Sequence, residues 1–88
     1  MRKKTDLNQK NLVRTLKQIP GVSVVDLSAV GQGCPDLLVG YKGKNFLFEI
    51  KNPETKGKLT ECQKNWFLFW KGSAFVLYDI NDFFELTE

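Results

Sequence analysis

Apolar residues recur at helical spacing in two segments of the chain. In the first segment, TDLNQKNLVRTLKQIPG, Leu12, Leu16 and Ile19 lie three or four residues apart, which predicts an amphipathic helix ended by the Pro-Gly pair. The second segment, TECQKNWFLFWKG, predicts a helix that begins at Thr60 and stops at Gly72. A short helix or turn is expected in the final residues, NDFFELTE.

Shorter apolar runs predict four strands. The runs are VSVVDLS (22–28), DLLVGY (36–41), NFLFEIK (45–51) and SAFVLYDI (73–80). Short turns, such as KGK between the second and third runs, join the first three, so these neighbours are expected to be antiparallel. The third and fourth strands, with the helix between them, form a β-α-β crossover and are expected to be parallel.

The element order α-β-β-β-α-β therefore predicts a small α/β domain with a mixed four-stranded sheet flanked by helices. The 88 residues are expected to form one domain, 1–88, because domains usually contain about 100–200 residues. A chain this short buries little of its surface, which favours a partner subunit.

Composition narrows the chemistry that such a domain can perform. The 42% hydrophobic and 12% aromatic content fits a folded chain, and the net charge of +3 suits a polyanionic partner. The absence of histidine excludes Ser-His-Asp and Cys-His catalysis and any zinc site that needs histidine. Cys34 and Cys62 are too few for a disulfide framework and are expected to be thiols in a reducing cytosol.

Neither export nor membrane insertion is expected. The basic start MRKKTDLNQK is not followed by an apolar run, so it does not predict a signal peptide. No run reaches the roughly 18 apolar residues of a membrane span. We therefore expect a cytoplasmic protein with no membrane partner.

Two charged side chains, Glu49 and Lys51, share one face of the predicted third strand. Because side chains alternate across a strand, Phe46, Phe48 and Ile50 form an apolar face and the charges lie on the other. Taken alone, the two charges are typical of a strand end that carries a surface ion pair worth about 0–1 kcal/mol.

Asp36 gives these charges a second interpretation. It opens the second strand, and a hairpin brings the start of its first strand beside the end of its second, so Asp36 is expected next to Glu49 and Lys51. Two adjacent carboxylates repel one another, which raises a pKa or demands a counter-charge. Mg²⁺ is a natural counter-charge, because it prefers one or two carboxylates together with water and phosphate oxygens. A lysine beside that ion can orient water or stabilise charge on a phosphate. The three residues predict metal-assisted phosphodiester hydrolysis.

The same residues resemble a known nuclease signature. Pro35 and Asp36, followed by Glu49, Ile50 and Lys51 on the next strand, resemble the PD-(D/E)XK nuclease superfamily. The surrounding sequence is similar to the VRR-NUC branch, in which a glycine-led PD, an E-(I/V)-K, a G-(K/R)-L-(S/T)-x-x-Q and a following W and G recur in that order. The resemblance covers roughly residues 22–80.

The resemblance implies a restriction-endonuclease-like core and a Mg²⁺- or Mn²⁺-dependent DNA endonuclease with no organic cofactor. Asp36, Glu49 and the backbone carbonyl of Ile50 would be metal ligands, and Lys51 would be the catalytic lysine. Gln63 matches a family glutamine that begins the next helix and points towards the active site. The family also implies a phage or bacterial protein that acts on branched DNA such as Holliday junctions.

Gln63 has an equally good local explanation. The spacing of Thr60 and Gln63 fits a capping box, in which the glutamine side chain reaches back to the amide at the helix start. Both interpretations stay open at this point, and one residue could serve both.

One position departs from the family pattern. Family members usually carry a glutamate on the first helix near the metal, whereas alignment through Leu12 and Val13 places Gln9 there. A glutamine oxygen can bind a cation through water but adds no charge, so Gln9 is a candidate ligand that leaves the site less acidic. An inactive DNA-binding module of the same fold is therefore the alternative function. A site-specific restriction or homing enzyme is disfavoured, because the chain is short for base readout.

DNA binding would depend on basic side chains. Lys56 and Lys58 flank a glycine after the catalytic strand, while Lys10, Arg14 and Lys17 form a stripe on the first helix. The other candidates are Lys3, Lys4, Lys42, Lys44 and Lys64. Each of these could instead be a solubilising surface charge. No base-reading motif is visible, so recognition is expected to depend on DNA shape, phosphates and salt.

Aromatic residues crowd the second predicted helix. Trp66 and Phe69 are expected to face the sheet, which leaves Phe67 and Trp70 on another side. That side is either a broad core contact or the seam of a homodimer, and exposed aromatic clusters favour the seam. A two-fold dimer would present two active sites and could cut two strands symmetrically.

Overall fold

The computed structural model describes residues 4–52 and 58–88 of the chain, with side chains from residue 9 onward. The helices in these residues are α1 (Lys4–Gln18), α2 (Glu61–Phe69) and α3 (Ile80–Leu86). The strands are β1 (Val22–Asp26), β2 (Leu37–Tyr41), β3 (Lys44–Ile50) and β4 (Ala74–Leu77). The predicted α/β element order is confirmed, and the final residues form a helix.

The four strands form one mixed sheet in the order β1-β2-β3-β4. β1 and β2 are antiparallel, as are β2 and β3, whereas β3 and β4 are parallel neighbours with α2 between them in the chain. The predicted mixed sheet and its β-α-β crossover are therefore confirmed. This arrangement makes β3 a central strand, with one antiparallel and one parallel neighbour.

The turn between β2 and β3 sets the register of the hairpin. Lys42 and Gly43 have φ values of 54° and 78°, and two positive values mark a type I′ turn, whose twist matches that of the flanking strands. The resulting register places Leu37 opposite Phe48 at the far end of the hairpin.

One face of the sheet carries the hydrophobic core. Leu37 and Phe48 are fully buried there, covered by Leu16 of α1 and Phe83 of α3. The Phe83 ring meets the Phe48 ring edge-on, with 5.9 Å between centroids. The longest described helix, α1, has 15 residues, and none of the helices in the described ranges combines the length and apolarity that crossing a bilayer requires.

α2 lies on the other face of the sheet, where Gln63 is hydrogen-bonded to Glu49. Thr60 caps the start of α2 as predicted, but the helix ends at Phe69, before the expected stop at Gly72. Phe69 is 73% exposed, so the prediction that it packs on the sheet is wrong. The physical reason is that apolar residues occur all around α2, so helical spacing alone does not decide which of them faces the sheet.

Candidate active site

Asp36 and Glu49 face each other across the end of the β2–β3 hairpin. The register pairs Leu37 with Phe48, and one further step along both chains brings Asp36 opposite Glu49. Because side chains alternate along a strand, Glu49 points away from the Phe48 core and towards α2. The juxtaposition of these two acids thus follows from the hairpin register.

The Asp36 carboxylate is held by the backbone of β3. Its Oδ2 accepts a hydrogen bond of 2.9 Å from the amide of Ile50. The carbonyl of Asp36 in turn accepts a hydrogen bond of 2.7 Å from the amide of Leu27, and the preceding residue, Pro35, is fully buried. Main chain and side chain of Asp36 are therefore both fixed, with one carboxylate oxygen anchored on β3.

The Glu49 carboxylate is almost completely buried, with 3% of the residue exposed. Its Oε2 accepts a hydrogen bond of 2.9 Å from Gln63 Nε2 and lies 3.7 Å from Lys51 Nζ. Its Oε1 is buried and has no hydrogen-bond partner among the described residues. A buried carboxylate oxygen without a donor is costly, and either a cation or a proton shared with the apposed Asp36 carboxyl would satisfy it.

The environment of Glu49 opposes its ionisation. The pKa of the Glu49 carboxyl is raised from 4.5 to about 7. Burial is the largest cause, and the negative charge of Asp36 and a side-chain hydrogen bond with it act in the same direction. The Lys51 ammonium partly offsets both effects and lowers this pKa. One ammonium group, that of Lys51, cannot neutralise two apposed carboxylates. Additional positive charge near Asp36 and Glu49 would therefore stabilise their ionised forms.

Gln63 connects the start of α2 to the Glu49 carboxylate. Its Oε1 accepts a hydrogen bond of 2.9 Å from the Thr60 amide, while its own amide donates 3.2 Å to Thr60 Oγ1. Its Nε2 simultaneously donates to Glu49 Oε2. The capping role and the site-facing role, which the sequence left as alternatives, thus coexist, because the two ends of one side-chain amide serve them separately.

Lys51 follows directly after β3. Its amide donates a hydrogen bond of 3.1 Å to the Leu77 carbonyl, which extends the parallel pairing with β4 by one residue. Its side chain is 16% exposed and forms an ion pair of 3.7 Å with Glu49. The ammonium group is therefore held beside the acids while it keeps access to solvent.

The loop before Asp36 contributes two residues that sequence reasoning did not assign to the site. Gly33 has a φ of +82°, and a Cβ at this position would lie 2.5 Å from the carbonyl oxygen of Cys62, so only glycine lets the loop approach the first turn of α2 this closely. Burial, and then the charges of Glu49 and Asp36, raise the pKa of the neighbouring Cys34 thiol. The glycines of this loop indicate backbone with positive φ, which is a signal in the sequence. The sequence does not indicate that the loop contacts Cys62 of α2.

A divalent cation fits this donor set. Among the side chains in the described ranges there is no cluster of three or more His, Cys, Asp or Glu residues suited to a metal. The two acids and the partnerless Oε1 of Glu49 instead offer a few hard oxygen ligands. Mg²⁺ and Mn²⁺ accept such sites, because water and substrate phosphates complete their coordination. The site suits those ions better than zinc, which favours closed sets of nitrogen and sulfur ligands.

The remaining predicted ligand and interface residues are placed as follows. Gln9 is half-buried on α1, and no hydrogen bond joins it to the partnerless Oε1 of Glu49. Phe67 is half-buried, whereas Trp70 is 40% exposed and its ring stacks on that of Trp66 at a centroid distance of 4.9 Å. The aromatic residues of this region therefore do not divide into one buried stripe and one exposed stripe.

The candidate DNA-binding side chains lie on both sides of the sheet. The exposed stripe on α1, with Lys10, Arg14 and Lys17, belongs to the layer that covers the Phe48 face. Lys64 is exposed on α2, in the layer that contains the candidate site, and Lys58 is exposed just before that helix. Lys56, together with Lys3, lies outside the described residues, and the side chain of Lys4 is not described.

Comparison with known proteins adds no template for these residues. This chain matches no model of a known protein family, no curated protein and no solved structure. The chemistry of the site is therefore argued from Asp36, Glu49, Lys51 and Gln63 as the fold arranges them.

Proposed function

We propose that this protein is a divalent-metal-dependent DNA endonuclease of the PD-(D/E)XK type, close to the VRR-NUC branch. One observation carries the proposal: two apposed acids, Asp36 and Glu49, stand beside a lysine and leave a buried carboxylate oxygen without a partner. When both acids are ionised, a divalent cation between them would satisfy this oxygen and offset their repulsion, which is the support for a metal-dependent role. The proposal places the protein in the cytoplasm of a bacterial or phage-infected cell, where DNA is accessible.

Asp36, Glu49 and the carbonyl of Ile50 would hold a Mg²⁺ or Mn²⁺ ion. When bound, such an ion supplies Lewis-acid stabilisation of phosphate charge and lowers the pKa of water. The chain prepares these ligands in advance, because the Ile50 amide fixes Asp36 and the Gln63 amide fixes Glu49. Gln63 donates to Oε2 of Glu49, which leaves Oε1 available to a ligand.

Lys51 would act on the scissile phosphate. Its ammonium group is a donor at the edge of the site, and 16% of its side chain is exposed. A donor placed where negative charge develops lowers the barrier to phosphodiester hydrolysis, and removal of one such donor typically costs about 100- to 1,000-fold in rate. Lys51 therefore has the position of a catalytic residue, whereas Gln63 is a positioning residue that acts through Glu49.

The proposed substrate is branched or otherwise structured DNA, cut by a homodimer. The net charge of +3 and the exposed Lys58 and Lys64 on the α2 side supply sequence-independent phosphate contacts. A chain of 88 residues without a base-reading motif favours recognition of DNA shape. Two copies related by a two-fold axis would offer both strands of a junction an equivalent site.

The test is cleavage of a four-way DNA junction in Mn²⁺, with EDTA as the blank. Lys51→Ala should lower the cleavage rate about 100-fold or more. The control is Lys44→Ala, since Lys44 is an exposed lysine at the opposite end of the hairpin and outside its two-residue turn, and it should cost no more than one phosphate contact. Cleavage that is equally strong in Lys51→Ala would refute the assignment.

The alternative is a DNA-binding module of the same fold without activity. The observation in its favour is Gln9, which supplies no negative charge where the family usually has a glutamate. Junction binding in EDTA with no cleavage in Mn²⁺ or Mg²⁺, for both the natural chain and Gln9→Glu, would favour this alternative.

A further inference from the structure

Three consecutive apolar side chains are exposed where α2 ends. Leu68 is 77% exposed, Phe69 is 73% exposed and Trp70 is 40% exposed. Large apolar side chains that cluster at the surface mark contact sites for other molecules, so these three residues form a candidate binding surface.

An open cavity of about 420 Å³ lies at the same place, lined by Phe69, Trp70, Lys71 and Gly72. Its volume falls within the roughly 300–1,000 Å³ of small-molecule sites. We call it the α2 aromatic cavity. Its lining combines two aromatic residues with a lysine, whose Nζ donates a hydrogen bond of 3.4 Å to the Leu68 carbonyl near the end of α2, and the remaining residue has no side chain.

The Trp70 ring is held in place before any ligand binds. It stacks on Trp66 with a centroid distance of 4.9 Å and an angle of 16° between the rings. The chain also passes close to the indole Nε1 at Gly72, where a Cβ would lie 2.9 Å from this atom. A stacking surface that is fixed in advance loses little conformational entropy when a ligand binds.

The α2 aromatic cavity lies a short distance from the candidate active site along the same helix. Gln63, in the first turn of α2, is hydrogen-bonded to Glu49, and Phe69 is the last helical residue. Six residues of α-helix span about 9 Å, which corresponds to about three nucleotides of a B-form strand at 3.4 Å each. A strand with one phosphate at the acids could therefore place a nearby base at Phe69 and Trp70.

We propose that the α2 aromatic cavity binds an unpaired nucleobase of the DNA whose phosphate occupies the Asp36–Glu49 site. This inference rests on the proposed function and deepens it, because it makes single-stranded nucleotides the feature that is recognised in structured DNA. Aromatic side chains beside cationic ones are the usual means of binding single strands, since every base has a π-face that can stack. Lys71 supplies positive charge at the rim of the cavity, and the exposed Lys64 on α2, whose Nζ lies 3.8 Å from Glu61, supplies a second cationic group nearby.

A second copy of this chain is the competing occupant. The buried centre of a protein–protein interface is depleted in lysine, whereas Lys71 lines the cavity itself. A protein interface would also use Leu68, which is the most exposed apolar residue of the three but does not line the cavity. The charge in the cavity thus favours a nucleobase with its phosphate.

The experiment uses Trp70, one of the two tryptophans of the chain, as the fluorescent reporter. In the full-length Trp66→Phe variant, Trp70 is the remaining tryptophan, and its fluorescence is followed during titration with a single-stranded thymidine oligonucleotide of about 12 nucleotides in EDTA. Anisotropy of the labelled oligonucleotide with Trp66 intact provides an independent affinity. We expect saturable quenching of Trp70, and weaker binding of a blunt duplex of equal length.

Two substitutions at neighbouring exposed positions separate stacking from apolar contact. Phe69→Leu removes an aromatic ring but keeps an apolar side chain, and it should weaken oligonucleotide binding about tenfold. Leu68→Ala is the matched control and should change the affinity less than twofold. Circular dichroism and thermal unfolding verify that both variants are folded, as expected for residues that are 73% and 77% exposed.

Each other outcome overturns the inference. A dimer in sedimentation that Leu68→Ala dissociates, without quenching of Trp70, would assign the cavity to a second copy. If Phe69→Leu leaves oligonucleotide binding unchanged, the protein binds the phosphates through its positive charge and does not stack a base on Phe69. Junction cleavage in Mn²⁺ is measured in parallel. Cleavage that Phe69→Leu does not change would refute the role of the cavity in DNA recognition but not the nuclease activity. Binding that depends on Phe69, without any cleavage, would refute the nuclease activity but not the assignment of a base to the cavity.

Discussion

The side-chain amide of Gln63 donates a hydrogen bond of 2.9 Å to Glu49, while its oxygen caps the Thr60 amide at the start of α2. A single residue therefore connects the folding of a helix to the orientation of a buried acid. The consequence is that stability and site geometry respond together to changes at this position.

Gln63→Glu separates these two contributions. Glutamate preserves the capping box, but it removes the amide donor to Glu49 and adds a second negative charge beside it. We expect the free energy of unfolding at pH 8 to fall by about 1–3 kcal/mol, as for loss of a hydrogen bond to a buried charged group. Urea denaturation measures this change.

The control for that substitution is Thr60→Ala, which removes the cap and leaves the donor to Glu49 in place. Its cost should be about 1 kcal/mol, and it should have a smaller effect on cleavage rate than Gln63→Glu. Equal losses of cleavage in both variants would argue that Gln63 acts on the site only through the stability of α2.

The stability of the metal-free protein should depend on the ionisation of Glu49. Its pKa is raised from 4.5 to about 7 in the folded chain, so folding binds a proton between these values. The stabilising contribution is therefore complete below about pH 4.5 and is lost as the pH rises through about 7. Glu49→Gln should remove this loss and make the EDTA-treated protein more stable than the natural chain at pH 8.

The unfolding free energies of Glu49→Gln and of the natural chain are compared at pH 5 and at pH 8. The difference between the two proteins should change by on the order of 2–3 kcal/mol between these pH values. Glu61→Gln is the matched control, since the Glu61 side chain is 86% exposed and its ion pair with Lys64 is 3.8 Å long. A pH profile that Glu49→Gln does not alter would contradict the burial of an ionisable group at this position.

Binding of a cation to the acids should be visible without any DNA. A ligand that binds only the folded state stabilises it by about 2.7 kcal/mol at a concentration 100 times its dissociation constant. Mn²⁺ at pH 8 should therefore raise the melting temperature of the natural chain, but not that of Asp36→Asn or Glu49→Gln. An identical Mn²⁺ effect in all three proteins would show that the ion binds elsewhere.

Gly33→Ala should disturb both the loop and the site. The added Cβ would lie 2.5 Å from the Cys62 carbonyl oxygen, so α2 or the loop must move. Gly31→Ala is the matched control, because Gly31 also has a positive φ, +73°, but nothing lies within 4 Å of its Cβ position. We expect a cost of about 1 kcal/mol at Gly31 and a larger one at Gly33, with loss of cleavage at Gly33 alone. Thermal unfolding and junction cleavage test both.

Local sequence was sufficient for the hairpin and its acids. The two-residue turn at Lys42 and Gly43 determines which residues of β2 and β3 are opposite each other, and a strand has a side-chain period of two. The apposition of Asp36 and Glu49 follows from these two local rules, as does the apolar face around Phe48. The element order and the mixed sheet were predicted correctly for the same reason, because each helix, strand and turn is indicated by residues close together in the chain.

The placement of α2 was decided by tertiary structure. Helical spacing determines which side chains share one side of a helix. When apolar residues occur all around the helix, spacing does not determine which side faces the sheet. For this reason the predicted orientation of Phe69 was wrong. The contact of Gly33 with Cys62 and the hydrogen bond from Gln63 to Glu49 join segments that are far apart in the chain. Such contacts depend on how a helix docks on a sheet, a long-range packing outcome for which the sequence has no local pattern.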